Sequence, residues 1–163
     1  MIDLLAVYYS ETGHTARAAR DVARRLGGDL ERILPLWPAR GSKLTKGVAA
    51  LLGRETAVHG PWKDPARYDV VVIATPVWAG RLPPAVRGYL AKVDGRIARA
   101  AFIVTCTGPD SHGVLRALRE GGGRPPVAEV TITDADRHSG MHEAQLASFA
   151  DSLRRLHSFA TPA

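Results

Sequence analysis

Near-continuous apolar runs alternate with segments of helical periodicity along the chain. The apolar runs cover residues 2–9, 30–34, 68–75, 100–106 and 127–133. Their lack of apolar–polar alternation is typical of strands that are covered on both faces. Apolar residues at 3-and-4 spacing predict helices over residues 15–26, 84–90, 114–118 and 142–156. This order predicts an α/β fold of three layers, with five parallel strands between helices and right-handed crossovers.

The connection over residues 37–64 is longer than the others. Leu44, Val48, Leu51 and Leu52 beside two lysines suggest a short amphipathic helix that ends at Gly53. A connection of this length is typical of a functional lid, but a surface crossover helix with irregular ends fits equally well. Both interpretations stay open.

Length and composition limit the number of domains, the redox compartment and the presence of a membrane span. The chain has 163 residues, so we expect one domain over residues 1–163. A single cysteine excludes an internal disulfide and favours a reducing compartment. The N-terminus lacks a signal-peptide pattern, and no apolar run approaches the roughly 20 residues of a membrane span. We therefore expect a cytoplasmic protein without a membrane span.

The net charge of +6 favours an anionic cofactor or an acidic partner. The arginines are scattered over helical stretches, which indicates solvated helix faces rather than a nucleic-acid surface. Nucleic-acid binding is therefore not expected. The histidines have no metal-ligand spacing, so no metal site is assigned.

Small polar residues follow the first strand and open the first helix. They are Ser10, Glu11, Thr12, Gly13, His14 and Thr15. A helix N-terminus offers free N–H groups and a positive dipole end, and the hydroxyls add donors, so the pattern predicts a phosphate cradle. With no lysine in the turn, neutral donors would hold most of the phosphate charge. The sequence excludes a G-x-x-x-x-G-K-[ST] loop and a G-x-G-x-x-G fingerprint, whereas an ordinary strand–helix turn with a threonine cap stays possible.

Parallel sheets of this kind bind ligands beyond the carboxyl ends of their strands, so the loops after strands one, three and four should share one crevice. The second of these loops contains Thr75, Pro76, Val77, Trp78, Ala79 and Gly80. Trp78 suits stacking on a flat ring, although it could instead cover the sheet edge.

The third loop is small and polar. Thr107 and Gly108 could offer N–H groups to a ring carbonyl, and Asp110 or Ser111 could cap the next helix. Cys106 is interpreted as a small buried core residue rather than a reactive thiol. His112 is either a proton source near the site or simply solvated.

Three blocks resemble the flavodoxin-like family of FMN proteins, and most closely its short members described as NAD(P)H-dependent oxidoreductases. The blocks are YYSETGHTARAARDVARRLG, YDVVVIATPVWAGRLPPAVRGYL and AAFIVTCTG, in that order. The resemblance implies a sheet order of 2-1-3-4-5 with FMN at the carboxyl ends. Residues 10–15 would hold the FMN phosphate, and Trp78 would lie against the isoalloxazine ring. Ala79 and Gly80 would lie near flavin N5, and the segment Thr107, Gly108 and Pro109 would line the pyrimidine side or the second face.

Two features depart from flavodoxins that serve as electron shuttles. Those proteins usually carry a tyrosine in the third loop and are strongly acidic, whereas this loop has no aromatic residue and the chain is basic. The leading hypothesis is therefore an FMN-dependent oxidoreductase with an open ring face, with NAD(P)H as donor and a partner protein or a quinone as acceptor. A one-electron carrier and a flavin-free regulatory or interaction module remain as alternatives, and the oligomeric state stays open.

Overall fold

Five parallel strands form one sheet in the computed structural model of this protein, which describes residues 2–36, 56–108, 110–123 and 125–158. The strands are β1 (Leu4–Tyr8), β2 (Asp29–Arg32), β3 (Val70–Pro76), β4 (Ala100–Cys106) and β5 (Ala128–Thr133). Their order is β2-β1-β3-β4-β5, and every neighbouring pair is parallel. The predicted sheet and its order are confirmed.

Helices cover both faces of the sheet. They are α1 (His14–Leu26), α2 (Pro84–Lys92), α3 (His112–Gly121), α4 (Asp134–Ser139) and α5 (Met141–Ser158), with a 3₁₀ turn at Pro65–Arg67. One core cluster joins α1 and α5 to the sheet, and the other joins α2 and α3 to it. This is the predicted three-layer arrangement.

The strand β1 shows why the apolar runs do not alternate. Leu4 and Ala6 belong to the core cluster under α1 and α5, whereas Leu5 and Val7 belong to the cluster under α2 and α3. Successive side chains of a strand point to opposite faces, so a strand between two helical layers needs apolar residues at every position.

The second strand ends earlier than its apolar run. Ile33 N still donates to Tyr8 O at 2.8 Å, but beyond it Leu34 O accepts from His59 N at 2.9 Å. Pro35 forms an antiparallel bridge with Val58. Residues 34–36 therefore leave the parallel sheet to pair with the returning crossover, which the apolar run alone does not reveal.

The helix expected near residues 43–53 falls outside the described residues. The described end of the same connection packs against the fold, with Val58 buried and Thr56 N donating to Pro84 O at 3.0 Å. The lid and the crossover helix both stay predictions.

The sheet register brings three strand ends together. Tyr8 pairs with Ala74, and Pro76 pairs with Thr105. The loops that follow β1, β3 and β4 therefore start side by side at the carboxyl edge. Within the described residues, no helix combines the length and the apolar character needed to cross a membrane.

Candidate functional site

The loop between β1 and α1 has the backbone of an anion cradle. Gly13 is the N-cap of α1, with φ 93° in the left-handed region that favours glycine. Its carbonyl accepts the first helical hydrogen bond, from Arg17 N at 3.0 Å. The N–H groups of the first turn have no intrahelical partners by the geometry of a helix, so they are available to an anion.

The hydroxyl groups of this loop differ in burial and in their hydrogen-bond partners. The Ser10 side chain is buried, and its Oγ accepts a hydrogen bond from Gly13 N at 3.0 Å, so it fixes the loop from within. Thr12 is exposed at the mouth of the loop. Thr15 is buried, with its Oγ1 2.7 Å from Thr105 Oγ1. Only one of these two hydroxyl protons is needed for their mutual bond, so the other can serve a ligand.

The loop after β3 is a tight two-residue turn. Trp78 N donates to Arg81 O at 2.9 Å, and Arg81 N donates to Trp78 O at 2.8 Å. The central residues Ala79 and Gly80 have φ values of 47° and 72°, as a type I′ turn requires. A left-handed alanine is uncommon and costs backbone energy, which is a frequent feature of functional sites.

Tyr9 connects the loop after β1 to the loop after β3, although the sequence pattern indicates only that it belongs to the first apolar run. The Tyr9 ring meets the Trp78 ring edge-on, with centroids 5.4 Å apart and planes at 70°. The Tyr9 hydroxyl donates to Glu11 Oε1 at 3.1 Å. Tyr9 therefore supports the half-buried Trp78 ring and, through its hydrogen bond to Glu11, connects that ring to the loop between β1 and α1. The sequence signal for this role is the position of Tyr9 at the end of a strand, directly before the predicted phosphate loop.

The loops surround a cavity of about 350 Å³, which we call the loop cavity. Predicted residues that line it are Glu11, Thr12, His14, Thr15, Pro76, Val77, Trp78 and Thr107. The cavity is within the usual size range of small-ligand pockets. The structure thus brings together residues from all three loops that the sequence singled out.

The other predicted residues lie around this cavity rather than in its lining. Ser10 and Gly13 shape the first loop from within, and Thr75 is fully buried with its hydroxyl donating to Pro76 O at 3.0 Å. Ala79, Gly80 and Gly108 are exposed. The Gly80 carbonyl faces α3, where a Cβ on Gly113 would lie 2.9 Å from it. Pro109 lies outside the described residues.

Four further residues line the loop cavity without having been predicted there as ligands. They are Thr105, Cys106, Asp134 and Arg137. Asp134 and Arg137 are ion-paired across one turn of α4, a helix too short for periodicity to reveal. Its sequence signal is a capping box, in which the Thr133 hydroxyl accepts from Asp136 N while the Asp136 carboxylate accepts from Thr133 N.

The burial predicted for Cys106 is confirmed. Burial raises the pKa of its thiol, and the nearby Asp136 charge adds to that shift. A raised pKa keeps the sulfur protonated and makes it a poor nucleophile at neutral pH.

The loop cavity has charged residues of both signs in its lining, Glu11, Asp134 and Arg137. The pKa of His14 is lowered, first by burial and then by the charges of Arg137 and Arg17. Arg137, on the helix after β5, brings a guanidinium group to this cavity and is ion-paired there with Asp134. The expectation that neutral donors hold most of the phosphate charge stays a prediction. A guanidinium group near the first turn of α1 can form charge-assisted hydrogen bonds to a phosphate.

The loop after β4 continues into α3. Ser111 is the N-cap of α3, as one alternative proposed, but its Oγ lies 3.1 Å from Thr131 Oγ1 and makes no cap bond to its own helix. Thr107 and His112 are exposed. Across the parts of the chain that the structure describes, no group of three or more His, Cys, Asp or Glu side chains could hold a metal ion.

The residues present fit a flavin mononucleotide by the chemistry of their donors. The open first turn of α1 and Thr12 suit a phosphate, and the supported Trp78 ring suits a flat aromatic system. Polar loop groups at Thr107 suit ring heteroatoms.

Solved structures share this fold. A candidate flavoprotein from Bacteroides eggerthii DSM 20697 is 21% identical, with a TM-score of 0.72 over 92% of this chain and 99% of that one. A flavoprotein from Lactobacillus acidophilus NCFM, solved in complex with FMN, is 17% identical, with a TM-score of 0.67 over 85% of this chain and 98% of that one. NAD(P)H:quinone oxidoreductase from Methanothermobacter marburgensis is 12% identical, with a TM-score of 0.52 over 96% of this chain and 97% of that one.

These similarities establish the flavodoxin-like fold of the chain. No protein-family model and no curated protein matches the sequence.

Proposed function

We propose that the chain binds FMN in the loop cavity and carries out electron or hydride transfer at the flavin, as an oxidoreductase with one open ring face. The observation that carries this proposal is the convergence of a helix N-terminus, a supported tryptophan and a polar loop on one cavity of about 350 Å³. FMN, when bound, supplies the electron or hydride transfer, and the protein supplies binding, orientation and electrostatics.

The phosphate end would be held by the first turn of α1. Its N–H groups and the exposed Thr12 hydroxyl donate to phosphate oxygens, and Thr15 can add a proton when Thr105 donates to it. Arg137, ion-paired with Asp134, brings a guanidinium group to the same cavity. Ser10 acts indirectly, because its Oγ fixes Gly13 N and so shapes the loop.

The ring end would lie against Trp78. Tyr9 supports this indole through its edge contact, which limits the rotation of the indole before the ligand arrives. On the third loop, residues 107–113 include no tyrosine, tryptophan or phenylalanine to cover the second face. An exposed ring face admits a small reactant directly, which favours an enzyme over a carrier that docks only to proteins.

The proposed donor is NAD(P)H, and the proposed acceptor is a quinone or a redox protein. The basic charge of the chain, +6, favours an anionic donor. The solved structure of an NAD(P)H:quinone oxidoreductase with the same fold supports this choice.

Binding is tested by titrating FMN into the flavin-free protein while tryptophan fluorescence is recorded. We expect quenching in the wild type and a much smaller quenching amplitude in Trp78→Phe. Trp62→Phe is the matched control, because Trp62 is 61% exposed and takes no part in the loop cavity. Equal quenching amplitudes in the two variants, or no quenching at micromolar FMN in the wild type, would refute flavin binding in this cavity.

Catalysis is tested on the FMN-loaded protein without air. We expect NADPH or NADH alone to bleach the visible flavin absorbance, and a quinone to restore it. Bleaching that occurs only after a separate reductase is added would instead support the one-electron carrier.

A further inference from the structure

A second cavity, of about 720 Å³, lies between α1 and the segment formed by α4 and α5. We call it the α1–α5 groove. It shares His14, Thr105, Asp134 and Arg137 with the loop cavity, so the two spaces adjoin at that end. The proposed flavin chemistry does not use the rest of the groove.

The shape of the groove suits an elongated organic molecule. Its α1 wall extends from His14 to Arg25, which is about 16 Å at the rise of an α-helix. Its apolar lining comes from Ala18, Ile132 and Leu146. A volume of about 720 Å³ is much larger than a single inorganic anion needs and is typical of pockets for small organic ligands.

The one acidic residue of α1, Asp21, is already ion-paired within the protein. Asp21 accepts from Arg24 Nη2 at 2.8 Å and from Arg25 Nε at 2.6 Å. These two hydrogen bonds hold the pKa of the Asp21 carboxyl below its usual value, although burial acts in the opposite direction. Two guanidinium groups facing one carboxylate leave the α1 wall with a positive balance, and the carboxylates of Asp134 and Glu143 lie on the opposite wall.

Two arginines, Arg137 and Arg17, lie at the end of the groove that adjoins the loop cavity. Arg137 binds Asp134 through Nη2, but its Nε is buried and has no hydrogen-bond partner among the described residues. Arg17 is exposed on the opposite wall and takes part in none of the ion pairs found between described residues. Both charges act on His14, since both contribute to its lowered pKa after burial.

We propose that the α1–α5 groove is a second ligand site, for a nucleotide whose phosphate lies between Arg17 and Arg137. Guanidinium groups from two walls form charge-assisted hydrogen bonds to phosphate oxygens, and the apolar lining takes the organic part. The phosphate has two candidate sources, a nicotinamide dinucleotide that extends toward the loop cavity or a free nucleotide. Binding of a nicotinamide dinucleotide rests on the proposed function, whereas the existence of a nucleotide site in the groove does not.

The test measures binding of NADP⁺ and of ADP to the FMN-loaded protein by calorimetry. Neither compound reduces the flavin, so binding is measured without redox chemistry. Arg17→Gln removes one anchor from an exposed position, and we expect about tenfold weaker binding, or about 1.4 kcal/mol. Arg116→Gln is the matched control, because it removes the same charge from an exposed site on α3, away from the groove.

Each outcome decides the proposal. Weakening in Arg17→Gln but not in Arg116→Gln supports it, with tighter binding of NADP⁺ than of ADP identifying the dinucleotide and equal binding identifying a free nucleotide. Equal weakening in both variants would show only an effect of net charge and would overturn it. The absence of nucleotide binding in a protein that binds FMN would also overturn it and leave the proposed function intact.

Failure of the proposed function has a different signature. A protein that shows no fluorescence quenching by FMN yet binds ADP with the expected sensitivity to Arg17→Gln would retain the groove site and lose the flavin proposal. An Arg17→Gln variant that loses FMN affinity as much as nucleotide affinity would place Arg17 at the flavin phosphate instead and overturn the groove site.

Discussion

The hydroxyl contact between Thr15 and Thr105 connects the phosphate-type loop to the end of β4. The two Oγ1 atoms are 2.7 Å apart, and both residues are buried, at 2% and 6% exposure. We consider Thr15→Val, Thr105→Val and the double variant, since valine keeps the shape of threonine and removes only the hydroxyl.

The expected loss in the free energy of unfolding depends on whether a substitution leaves a buried hydroxyl without a hydrogen-bond partner. A single substitution leaves one buried hydroxyl without its partner, which costs about 1–3 kcal/mol. Both residues line the loop cavity, where water can replace part of the lost bond, so we expect about 1 kcal/mol for each single variant. The double variant leaves no orphaned hydroxyl, and its cost should be no greater than that of one single variant. The expected coupling is therefore about 1 kcal/mol.

Urea unfolding of the flavin-free protein measures these free energies, with the slope of the transition compared across all four proteins. Destabilisation of the double variant that equals the sum of the two single variants would refute the contact. FMN affinity separates the roles further. Thr15→Val should weaken FMN binding if Thr15 donates to the phosphate, by about 1.5 kcal/mol, whereas Thr105→Val frees the Thr15 proton and should not weaken it.

Other expectations concern stability. Gly80→Ala places a Cβ in open space at φ 72°, so urea unfolding should show a purely backbone cost of about 1 kcal/mol. Glu31→Ala removes a buried carboxylate that accepts two backbone N–H groups, at 2.8 and 3.3 Å, and should cost about 1–3 kcal/mol by the same measurement. Thr133→Ala removes the hydroxyl cap of α4 and should cost about 1 kcal/mol. The control Thr133→Ser removes only the methyl group and keeps the capping hydroxyl, so we expect no cost from it. The Thr133 hydroxyl and N–H lower the pKa of Asp136, so its stabilising contribution is complete above about pH 4 and is lost as the pH falls through the lowered pKa. Urea unfolding across this pH range should show that loss in the wild type and not in Asp136→Asn.

The sheet was predictable because burial on both faces leaves a direct mark on the sequence. In β3 and β4 nearly every residue is apolar and buried, and the predicted bounds of β4 match the observed ones. The error at β2 has a physical cause, because an apolar residue such as Leu34 can pair with a crossover instead of with the sheet. Leu34 is also 39% exposed, so apolar character shows neither that a residue is buried nor which element it pairs with.

The first loop and Trp78 were predictable because their roles depend on local chain order and on the topology of parallel sheets. The use of individual hydroxyls was not, since Ser10, Thr12 and Thr15 offer the same chemistry in the sequence. Packing alone separates them, by directing Ser10 to Gly13 N and Thr15 to Thr105. Residue type identifies a donor, and the fold decides which acceptor it meets.

The approach of two arginines to the site is a consequence of strand order. Because β5 lies beside β4, the short helix that follows β5 emerges next to the carboxyl end of β4 and faces the start of α1. Arg137 on α4 and Arg17 on α1 therefore approach the same histidine from opposite walls, although they stand far apart in the sequence. Scattered arginines give no signal along the chain, and Arg17 and Arg137 come together only because two helices on one face of the sheet bring them to the same histidine. An anion at the junction of the two cavities would lie near both guanidinium groups, and also near the Asp134 carboxylate that is ion-paired with Arg137, so the ligand of the groove depends on whether an anion can compete with that ion pair.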